Sequence, residues 1–412
     1  MNTNIFIAKT LWSKSSGRGG LGKGSAVIAG ISVAVSVLVM VLSVAVSDGF
    51  KSEIKEKAAG FSGEIMLHSP GVEITTNQYP VTSQLSFMGE IREDNRVASV
   101  HPYAYRSAIV KSGDEIQGVL IKGVDSEFNW SFFNSVLHEG RVPNLSDTLS
   151  TGEIMISLRL ASMLGYSVGD FVTLYFIDNT VRVRRFVLTG IYNAQLEDID
   201  KTLVITSLSQ IQSINGWRSD EVSGIELKLK KGADLTKVTR EVERIIENSD
   251  EDESIYVTRV DDLFPHLFYW LRLLDFNVLV IMVLMLSVAG FNMISGLLIL
   301  LFEKISMIGL LKSLGMRDSE IHKIFLIRAL YLVFTGMAAG NLIALFLAHI
   351  QMRYRVIPLD PLNYFVDHVP IYINGSKIVL LNIGAVVIIT LLLMIPSLFI
   401  SKVSPEKTLR VK

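Results

Sequence analysis

The chain has 412 residues, of which 50% are hydrophobic and 19% are charged, and its formal net charge is −1. A mean hydropathy of +0.42 is too high for an ordinary soluble domain, whereas this many charges exclude a bundle that lies wholly in lipid. The absence of cysteine excludes disulfides and thiolate metal sites. We also expect no nucleic-acid partner. The composition predicts a protein that is partly embedded in a membrane and partly folded in water.

Residues 1–24 combine an amphipathic leader with a glycine-rich joint. Apolar residues of the leader alternate with lysines, a pattern typical of a short cytoplasmic helix that lies in the headgroup region. Gly17, Gly22 and Lys23 match the start of the phosphate-loop pattern, but Gly24 stands where that pattern needs Ser or Thr. The helix that follows enters the membrane, so its N-terminus is not available to a phosphate. We predict that the chain itself binds no ATP.

Four uncharged stretches each reach the roughly 20 residues that cross about 30 Å of hydrocarbon. Lys and Arg cluster before the first stretch, between the second and third, and after the fourth, which predicts that these segments and both termini are cytoplasmic. The predicted order is TM1 at 25–47, an external domain at 48–276, TM2 at 277–301, a cytoplasmic loop at 302–328, TM3 at 329–350, an external loop at 351–377, TM4 at 378–400 and a cytoplasmic tail at 401–412.

The external domain between the first and second spans shows two kinds of periodicity. Short runs in which apolar and polar residues alternate predict strands, and they lie at 63–68, 117–124, 171–176, 182–191 and 224–229. Helical spacing of apolar residues predicts helices at 158–164, 208–214 and 235–247. The mixture predicts a large α+β domain, in one or two lobes.

Acidic residues of the external domain form two groups, one at 250–253 and one made by Glu197, Asp198 and Asp200. Neither group has the glycine or the ligand spacing of an EF-hand, so we interpret both as solvated turns. The histidines are scattered, without an HExxH pair or a neighbouring nucleophile. We predict no catalytic residue, no metal site and no bound cofactor in this chain.

Small residues recur every fourth position in two spans, where they would let helix backbones approach closely. They are Ala26, Gly30 and Ala34 in the first span and Gly336, Gly340 and Ala344 in the third. We predict that both stripes are helix contacts, made either within one chain or between two chains. The middle thirds of the spans contain no Asp, Glu, Lys or Arg, which argues against an ion or proton relay.

The cytoplasmic loop after the second span has a patterned polarity. It predicts a helix that ends near Gly315 and a following helix that is capped by Asp318 or Ser319. The apolar residues predicted to share one face of the first helix are Ile308, Leu311 and Leu314. Such a helix either lies on the membrane surface or fits a groove on a cytoplasmic partner, and spacing alone does not decide between the two.

This loop resembles the coupling helix of FtsX/MacB-type permeases of ABC systems, which has the pattern E-K-x-x-x-I-G-x-L-K-S-x-G and docks on the ATPase subunit. The matching residues here are Glu303, Lys304, Ile308, Gly309, Leu311, Lys312, Ser313, Leu314 and Gly315. The resemblance implies a MacB-like periplasmic domain and a second permease chain, which is either identical to this one or a homologue. It also implies that ATP and Mg²⁺ bind in a separate cytoplasmic ABC ATPase, so this chain is expected not to be an enzyme.

Shorter motifs are similar to one branch of that family, the lipoprotein-releasing (LolC/LolE-like) permeases. They begin at Phe6, Ile31, Asp48 and Gly63, and Asp48 stands where that branch more often has Asn. The segments at 168–172 and 189–191 extend the resemblance into the external domain. The branch implies a bacterial inner-membrane protein that takes lipoproteins from membrane lipid and passes them to a periplasmic carrier.

One segment departs from the better-known members of that branch. One of their two permeases has a long, proline-bearing hairpin that hooks the carrier, whereas residues 175–183 here form a tight turn without proline. The chain is therefore expected to be the other partner of a heterodimer, or a member of a lineage that contacts a carrier differently. The alternatives are a MacB-type efflux permease and an FtsX-type cell-division regulator.

The resemblance also implies that an apolar cavity between the first and second spans receives the lipid part of the substrate. From their positions, the residues predicted to border this cavity are Val44, Ser47, Phe50, Val280 and Leu284. An ordinary packing or lipid-facing role is the alternative for each of them.

Overall fold

The structure is a computed structural model that describes residues 21–69, 79–113, 115–145, 152–177, 181–249 and 255–397. Most of the predicted leader, the predicted tail, the acidic run at 250–253 and the side chain of Ala26 lie outside the described part. The chain divides into two compact units. The helical unit holds the described residues up to Ser52, Trp270–Pro358 and those from His368 onward, and the α+β unit holds Glu53–Tyr269 and Leu359–Asp367.

The described helices include four that are much longer than the rest. In chain order they are α1 (Leu21–Ser62), α2 (Met88–Glu93), α3 (Ser131–Ser135), α4 (Leu158–Leu164), α5 (Glu197–Asp200), α6 (Leu208–Asn215), α7 (Leu235–Glu247), α8 (Val260–Leu263), α9 (Pro265–Glu303), α10 (Ile305–Ser313), α11 (Asp318–Tyr354), α12 (Pro361–Tyr364) and α13 (Gly375–Ser397).

Helices α1, α9, α11 and α13 are the described helices that are long and apolar enough to cross a membrane. Their most apolar windows have mean hydropathies of 2.7, 2.3, 1.9 and 3.0, which confirms the four predicted spans. Helix α1 runs past the predicted span in both directions, so Gly22 and Gly24 are helical and do not form a flexible joint. Extending a formed helix adds one hydrogen bond for each residue that is fixed, which keeps flanking residues helical.

The α+β unit is built on a ten-stranded sheet with the order β12-β1-β11-β3-β4-β9-β6-β8-β5, and β7 pairs with β3 and β8. A separate two-stranded sheet pairs β10 with β2. The strands are β1 (Ile65–His68), β2 (Val81–Thr82), β3 (Val97–Ser112), β4 (Glu115–Val124), β5 (Leu137–Gly140), β6 (Glu153–Ser157), β7 (Phe171–Ile177), β8 (Val181–Tyr192), β9 (Leu203–Ser207), β10 (Glu221–Val222), β11 (Gly224–Leu229) and β12 (Tyr256–Arg259).

All five predicted strands and all three predicted helices of this unit are confirmed, with small shifts at their ends. Local signals account for this agreement. Asp234 caps α7 by accepting a hydrogen bond from the Lys237 N–H, and Val238 and Val242 form its buried face. Strands β7 and β8 pair up to Ile177 opposite Val181, and the residues between them lie outside the described part of the chain.

Candidate functional site

Helix α10 is the segment that matches the coupling-helix pattern. It ends in a Schellman motif, in which the Met316 N–H donates to the Leu311 carbonyl at 3.1 Å and the Gly315 N–H donates to the Lys312 carbonyl at 3.0 Å. Gly315 has a φ of +85°, the left-handed conformation that glycine adopts without a steric cost. The glycine therefore lies just after the helix, as the sequence predicts.

The apolar residues of α10 divide between two faces. Ile308 and Gly309 are buried, and Leu311 packs against the same apolar cluster of the helical unit. Leu310 is 51% exposed and Leu314 is 75% exposed. The prediction that Leu314 shares a face with Ile308 is wrong, because the helix ends at Ser313 and Leu314 turns outward as its C-cap. The exposed surface of α10 therefore presents two leucines.

The start of the next helix differs from the predicted cap. Arg317, and neither Asp318 nor Ser319, is the N-cap of α11, with an extended backbone at φ −71° and ψ 145°. Its N–H donates to Glu320 Oε2 at 3.4 Å. Asp318 is instead the first helical residue and forms an ion pair with Lys312, with 2.9 Å between Lys312 Nζ and Asp318 Oδ1. This pair ties α10 to the beginning of α11 across the intervening turn.

The other residues of the coupling pattern lie at the two ends of α10. Glu303 is the last residue of α9 and Lys304 is the N-cap of α10, with 3.5 Å between Lys304 Nζ and Glu303 Oε1. The Ser313 Oγ donates to the Leu310 carbonyl at 2.7 Å. These three polar members of the pattern thus lie at the ends of α10, and the exposed leucines lie beside exposed serines.

The stripe of small residues in α11 lies against the backbone of α1. A Cβ atom on Gly336 would stand 2.7 Å from the Gly30 carbonyl oxygen, and one on Gly340 would stand 2.4 Å from the Ala34 carbonyl oxygen. Both distances are shorter than a Cβ atom tolerates. Ala344 continues the stripe and is fully buried. The close approach of α1 and α11 within one chain therefore requires glycine at these positions.

Polar side chains that the sequence analysis did not single out join the spans. The Asn292 amide of α9 donates to Ser32 Oγ of α1 at 2.6 Å. Asn341 of α11 and Asn382 of α13 donate to each other, at 2.8 and 3.1 Å. An amide within an apolar run is the signal that could have indicated them, since such groups hydrogen-bond across helices in a membrane.

The five residues predicted to border a lipid cavity differ in exposure. Ser47 and Phe50 of α1 are buried, and Val44 is half-buried. Val280 and Leu284 of α9 are about half exposed, at 48% and 52%. These five residues therefore do not share one environment within a single chain. Their role in a cavity stays a prediction.

The end of the first predicted span is held by the first turn of α13 and by the segment that precedes that helix. Lys377 Nζ lies 2.6 Å from Asp48 Oδ1, and Asp48 is buried whereas Lys377 is half exposed. A Cβ atom on Gly49 would stand 2.2 Å from the Pro370 carbonyl oxygen, so that glycine admits the neighbouring backbone. Asp48 is unusual in the sequence because the similar permeases more often have Asn at this position. The sequence does not indicate its partner Lys377, which lies far along the chain.

The α+β unit contains a buried ion pair. Lys122 Nζ of β4 lies 2.5 Å from Glu226 Oε2 of β11 and donates to the Phe61 carbonyl at 2.6 Å. Its ammonium also lies over the rings of Tyr103 and Phe128, at 5.7 and 5.5 Å from their centroids. The pair is enclosed by aromatic side chains and is structural in character. Alternating strand patterns cannot reveal it, because the two residues are joined only by the sheet.

Of the external domain's two acidic groups, the one at 197–200 lies in the described part of the chain. Within the described ranges, no group of three or more His, Asp or Glu side chains could hold a metal ion. Glu197 and Asp198 lie on the surface side of α5, whereas Asp200 at its end is 4% exposed. The three carboxylates therefore differ in environment and do not converge.

Two family models match this chain, one after the other. The MacB-like periplasmic core domain matches residues 26–245, and the FtsX-like permease C-terminal region matches residues 279–405. The first match covers more than half of the chain and includes β1 to β11. The second includes the three later spans and α10.

Individual proteins are similar over almost the whole chain. The lipoprotein-releasing system transmembrane protein LolC of Neisseria meningitidis serogroup B is 24% identical over 93% of this chain and 92% of its own length. The corresponding LolE of Haemophilus influenzae is 22% identical over 99% of both chains. The crystal structure of the periplasmic region of MacB from Actinobacillus actinomycetemcomitans covers 51% of this chain and 94% of its own, at 13% identity and a TM-score of 0.34.

Proposed function

Because this chain belongs to the permease family that has a MacB-like periplasmic core domain and an FtsX-like C-terminal region, we propose that it is the transmembrane subunit of an ABC-type lipoprotein-releasing complex. The complex extracts lipoproteins from the bacterial inner membrane and transfers them to a periplasmic carrier. The observation that carries this proposal is similarity along nearly the full length of both chains to proteins named for lipoprotein release.

Helix α10 is the proposed docking element for a separate ATPase. Its outward face presents Leu310 and Leu314, which are apolar although the loop joins two membrane spans and is expected to be in the cytoplasm. Its inward face is anchored by Ile308, and the Lys312–Asp318 ion pair fixes the turn behind it. A push on α10 is therefore passed to α9 and α11, between which it lies in the chain.

Energy from ATP is needed because the substrate is bound by its acyl chains. Removing a chain from the bilayer costs about 0.8 kcal/mol for each CH₂ group, so a lipoprotein with several chains does not leave spontaneously. Closure of two ATPase subunits tilts the spans of two paired permease chains and narrows the space between α1 and α9. Val44, Ser47, Phe50, Val280 and Leu284 are the proposed border of that space.

The proposed topology follows the distribution of Lys and Arg. Both termini and the loop at 302–328 face the cytoplasm, and the segments at 48–276 and 351–377 face the periplasm. ATP and Mg²⁺ bind in the partner subunit, and this chain has no catalytic role. The short β7–β8 hairpin suits the partner of a heterodimer that does not hook the carrier.

Depletion of this chain in its bacterium tests the proposed substrate. We expect outer-membrane lipoproteins to accumulate in the inner membrane within a few generations, and membrane fractionation with immunoblotting measures this. A MacB-type efflux permease would instead leave lipoproteins sorted and raise sensitivity to exported compounds. A cell-division regulator would produce filaments with normal lipoprotein sorting, and either result would refute lipoprotein release.

Co-purification of the ATPase with variants of this chain tests the docking face. Leu314→Glu places a charge on the exposed face of α10, and we expect it to lower recovery of the ATPase with the purified chain by about tenfold. Val181→Glu is a matched control, because Val181 is 62% exposed and lies on β8 of the α+β unit. Equal recovery of the ATPase with both variants would contradict docking through α10.

A further inference from the structure

A cavity in the α+β unit lies between α4, the loop after β8 and the short helix α12. It has a volume of about 260 Å³. Leu158, Pro361 and Leu362 supply apolar walls, whereas Arg159 and Ser162 lie on the exposed side of α4. Six of its nine lining residues are polar, and Arg159, Glu197 and Asp200 among them are ionisable, so the cavity joins an apolar wall to a charged one. Neither family match nor the proposed release of lipoproteins assigns a ligand to it.

A buried carboxylate lines this cavity. Asp200 is 4% exposed, and its Oδ1 has no hydrogen-bond partner among the described residues. Its position is fixed, because the Ser157 Oγ donates to the Asp200 carbonyl and Ser157 also caps α4. Burial raises the pKa of Asp200 to about 6, against the opposing influence of the backbone N–H groups of Gln195 and Leu196. The carboxylate is therefore held in place with one oxygen unsatisfied.

Lys57 is the cation whose charge acts on Asp200, but its hydrogen bonds go to other residues. Its ammonium donates to Gln195 Oε1 at 2.9 Å and to the Phe365 carbonyl at 2.8 Å. Gln195 reaches this arrangement with a φ of +63°, which is unfavourable for a residue other than glycine. With this backbone conformation, the Gln195 side-chain oxygen accepts the hydrogen bond from Lys57. Asp200 is left to face the cavity without a direct cationic partner among the described side chains.

The surroundings of Asp200 specify the complementary ligand. A buried carboxylate requires a cation or a hydrogen-bond donor, and an ammonium group provides both. Apolar walls at Leu158 and Leu362 suit an aliphatic chain attached to that group. The volume admits such a chain but is too small for a folded domain.

We propose that this cavity binds an alkylammonium group, with its nitrogen at the Asp200 carboxylate and its carbon chain against Leu158 and Leu362. The group belongs either to a lysine side chain of a polypeptide or to a small aliphatic amine. Because α12 contributes one wall, the ligand contacts the segment Leu359–Asp367 and the loop after β8 together.

The test uses the full chain in an uncharged detergent. The protein has no cysteine, so Ser162→Cys on the cavity rim accepts a single trifluoromethyl label whose ¹⁹F signal reports on the cavity. Titration with n-butylammonium is expected to shift this signal in a saturable way, whereas n-butanol of the same length is expected to leave it unchanged. A lysine dipeptide with blocked ends is titrated in parallel, and tighter binding of the dipeptide would identify a polypeptide as the source.

Two further substitutions in the labelled Ser162→Cys protein test whether the Asp200 carboxylate binds the ammonium group. Asp200→Asn is expected to weaken n-butylammonium binding by about tenfold or more. Asp198→Asn is the matched control, since it removes the same charge from an exposed position of the same helix and is expected to bind as the parent does. Equal binding by n-butanol, or undiminished binding by Asp200→Asn, would overturn the proposal. If Asp200→Asn does not fold, the comparison of n-butylammonium with n-butanol decides alone.

Discussion

A buried ion pair and a buried single carboxylate in the α+β unit illustrate opposite ways of placing charge in a protein interior. Lys122 and Glu226 neutralise each other, and a main-chain carbonyl takes a further hydrogen bond from the ammonium. Asp200 has no such partner for its Oδ1 among the described residues. A paired buried charge offsets much of its desolvation cost, whereas an unsatisfied one does not. Asp200 is therefore expected to lower the stability of the fold.

The effect of Asp200 on stability should depend on pH. Its pKa rises from an ordinary value of 3.8 to about 6 through burial, so the stability linked to its protonated form is present below pH 3.8 and is lost as the pH rises through 6. Asp200→Asn should therefore raise the free energy of unfolding by roughly 1–3 kcal/mol at pH 8. At pH 4 the variant should differ little from the parent.

Thermal unfolding of both full chains, in the same detergent and without added amine, measures this difference. The variant should have the higher Tm at pH 8 and nearly the same Tm at pH 4. A gain that is identical at both pH values would show that the carboxylate charge is not its cause. Stabilisation by removal of a charged group is typical of sites whose polar residues are kept for binding.

At the scale of the elements, contact between α1 and α11 depends on where glycine lies in α11. Alanine is a better helix former than glycine by about 1 kcal/mol, so a Gly→Ala change stabilises a helix where space is open. At Gly340 the added Cβ would meet the Ala34 carbonyl at 2.4 Å, and the two backbones would have to separate. Packing at this position outweighs the intrinsic preference for alanine.

A pair of identical substitutions separates these two effects. Gly340→Ala should lower the Tm of the detergent-solubilised chain, because the α1–α11 contact is forced apart. Gly384→Ala in α13 is the control, since no atom lies within 4 Å of the position its Cβ would occupy, and its Tm should stay equal or rise slightly. If both variants shift the Tm in the same direction and to the same extent, close packing at Gly340 is not significant.

At the scale of the whole molecule, the proposed topology follows from charge and can be tested directly. Ser162→Cys and Ser313→Cys each introduce one thiol at an exposed position of a chain without cysteine. The positive-inside distribution places Ser162 outside and Ser313 in the cytoplasm. A membrane-impermeant maleimide applied to spheroplasts should therefore label Ser162→Cys, and should label Ser313→Cys only after lysis. The reverse pattern would invert the topology.

The sequence was sufficient for features that depend on hydropathy or periodicity along a run of neighbouring residues. Hydropathy identified the four spans, alternation identified strands such as 224–229, and a glycine after an apolar run identified the end of α10. It failed where an outcome depended on the precise end of a helix. Leu314 and Arg317 differ from the predictions because they are caps of helices. A shift of one residue in a helix end changes the direction in which the side chain at that end points.

Contacts between distant residues were beyond the reach of the sequence. The pairs Lys122–Glu226 and Asp48–Lys377 join residues that are brought together by the sheet and by the packing of the spans. The cavity at Asp200 combines α4, a strained loop and a helix from the far end of the chain.

The amino-acid sequence by itself thus determined the membrane spans, the α+β character of the large domain and the position of α10, because hydropathy and periodicity are local properties of a chain. The tertiary structure decided which glycines admit a neighbouring backbone, which leucines of α10 face outward and that Asp200 is buried with one oxygen unpartnered. Burial and electrostatic environment are set by all the elements that surround a residue, and they exist only once the chain has folded.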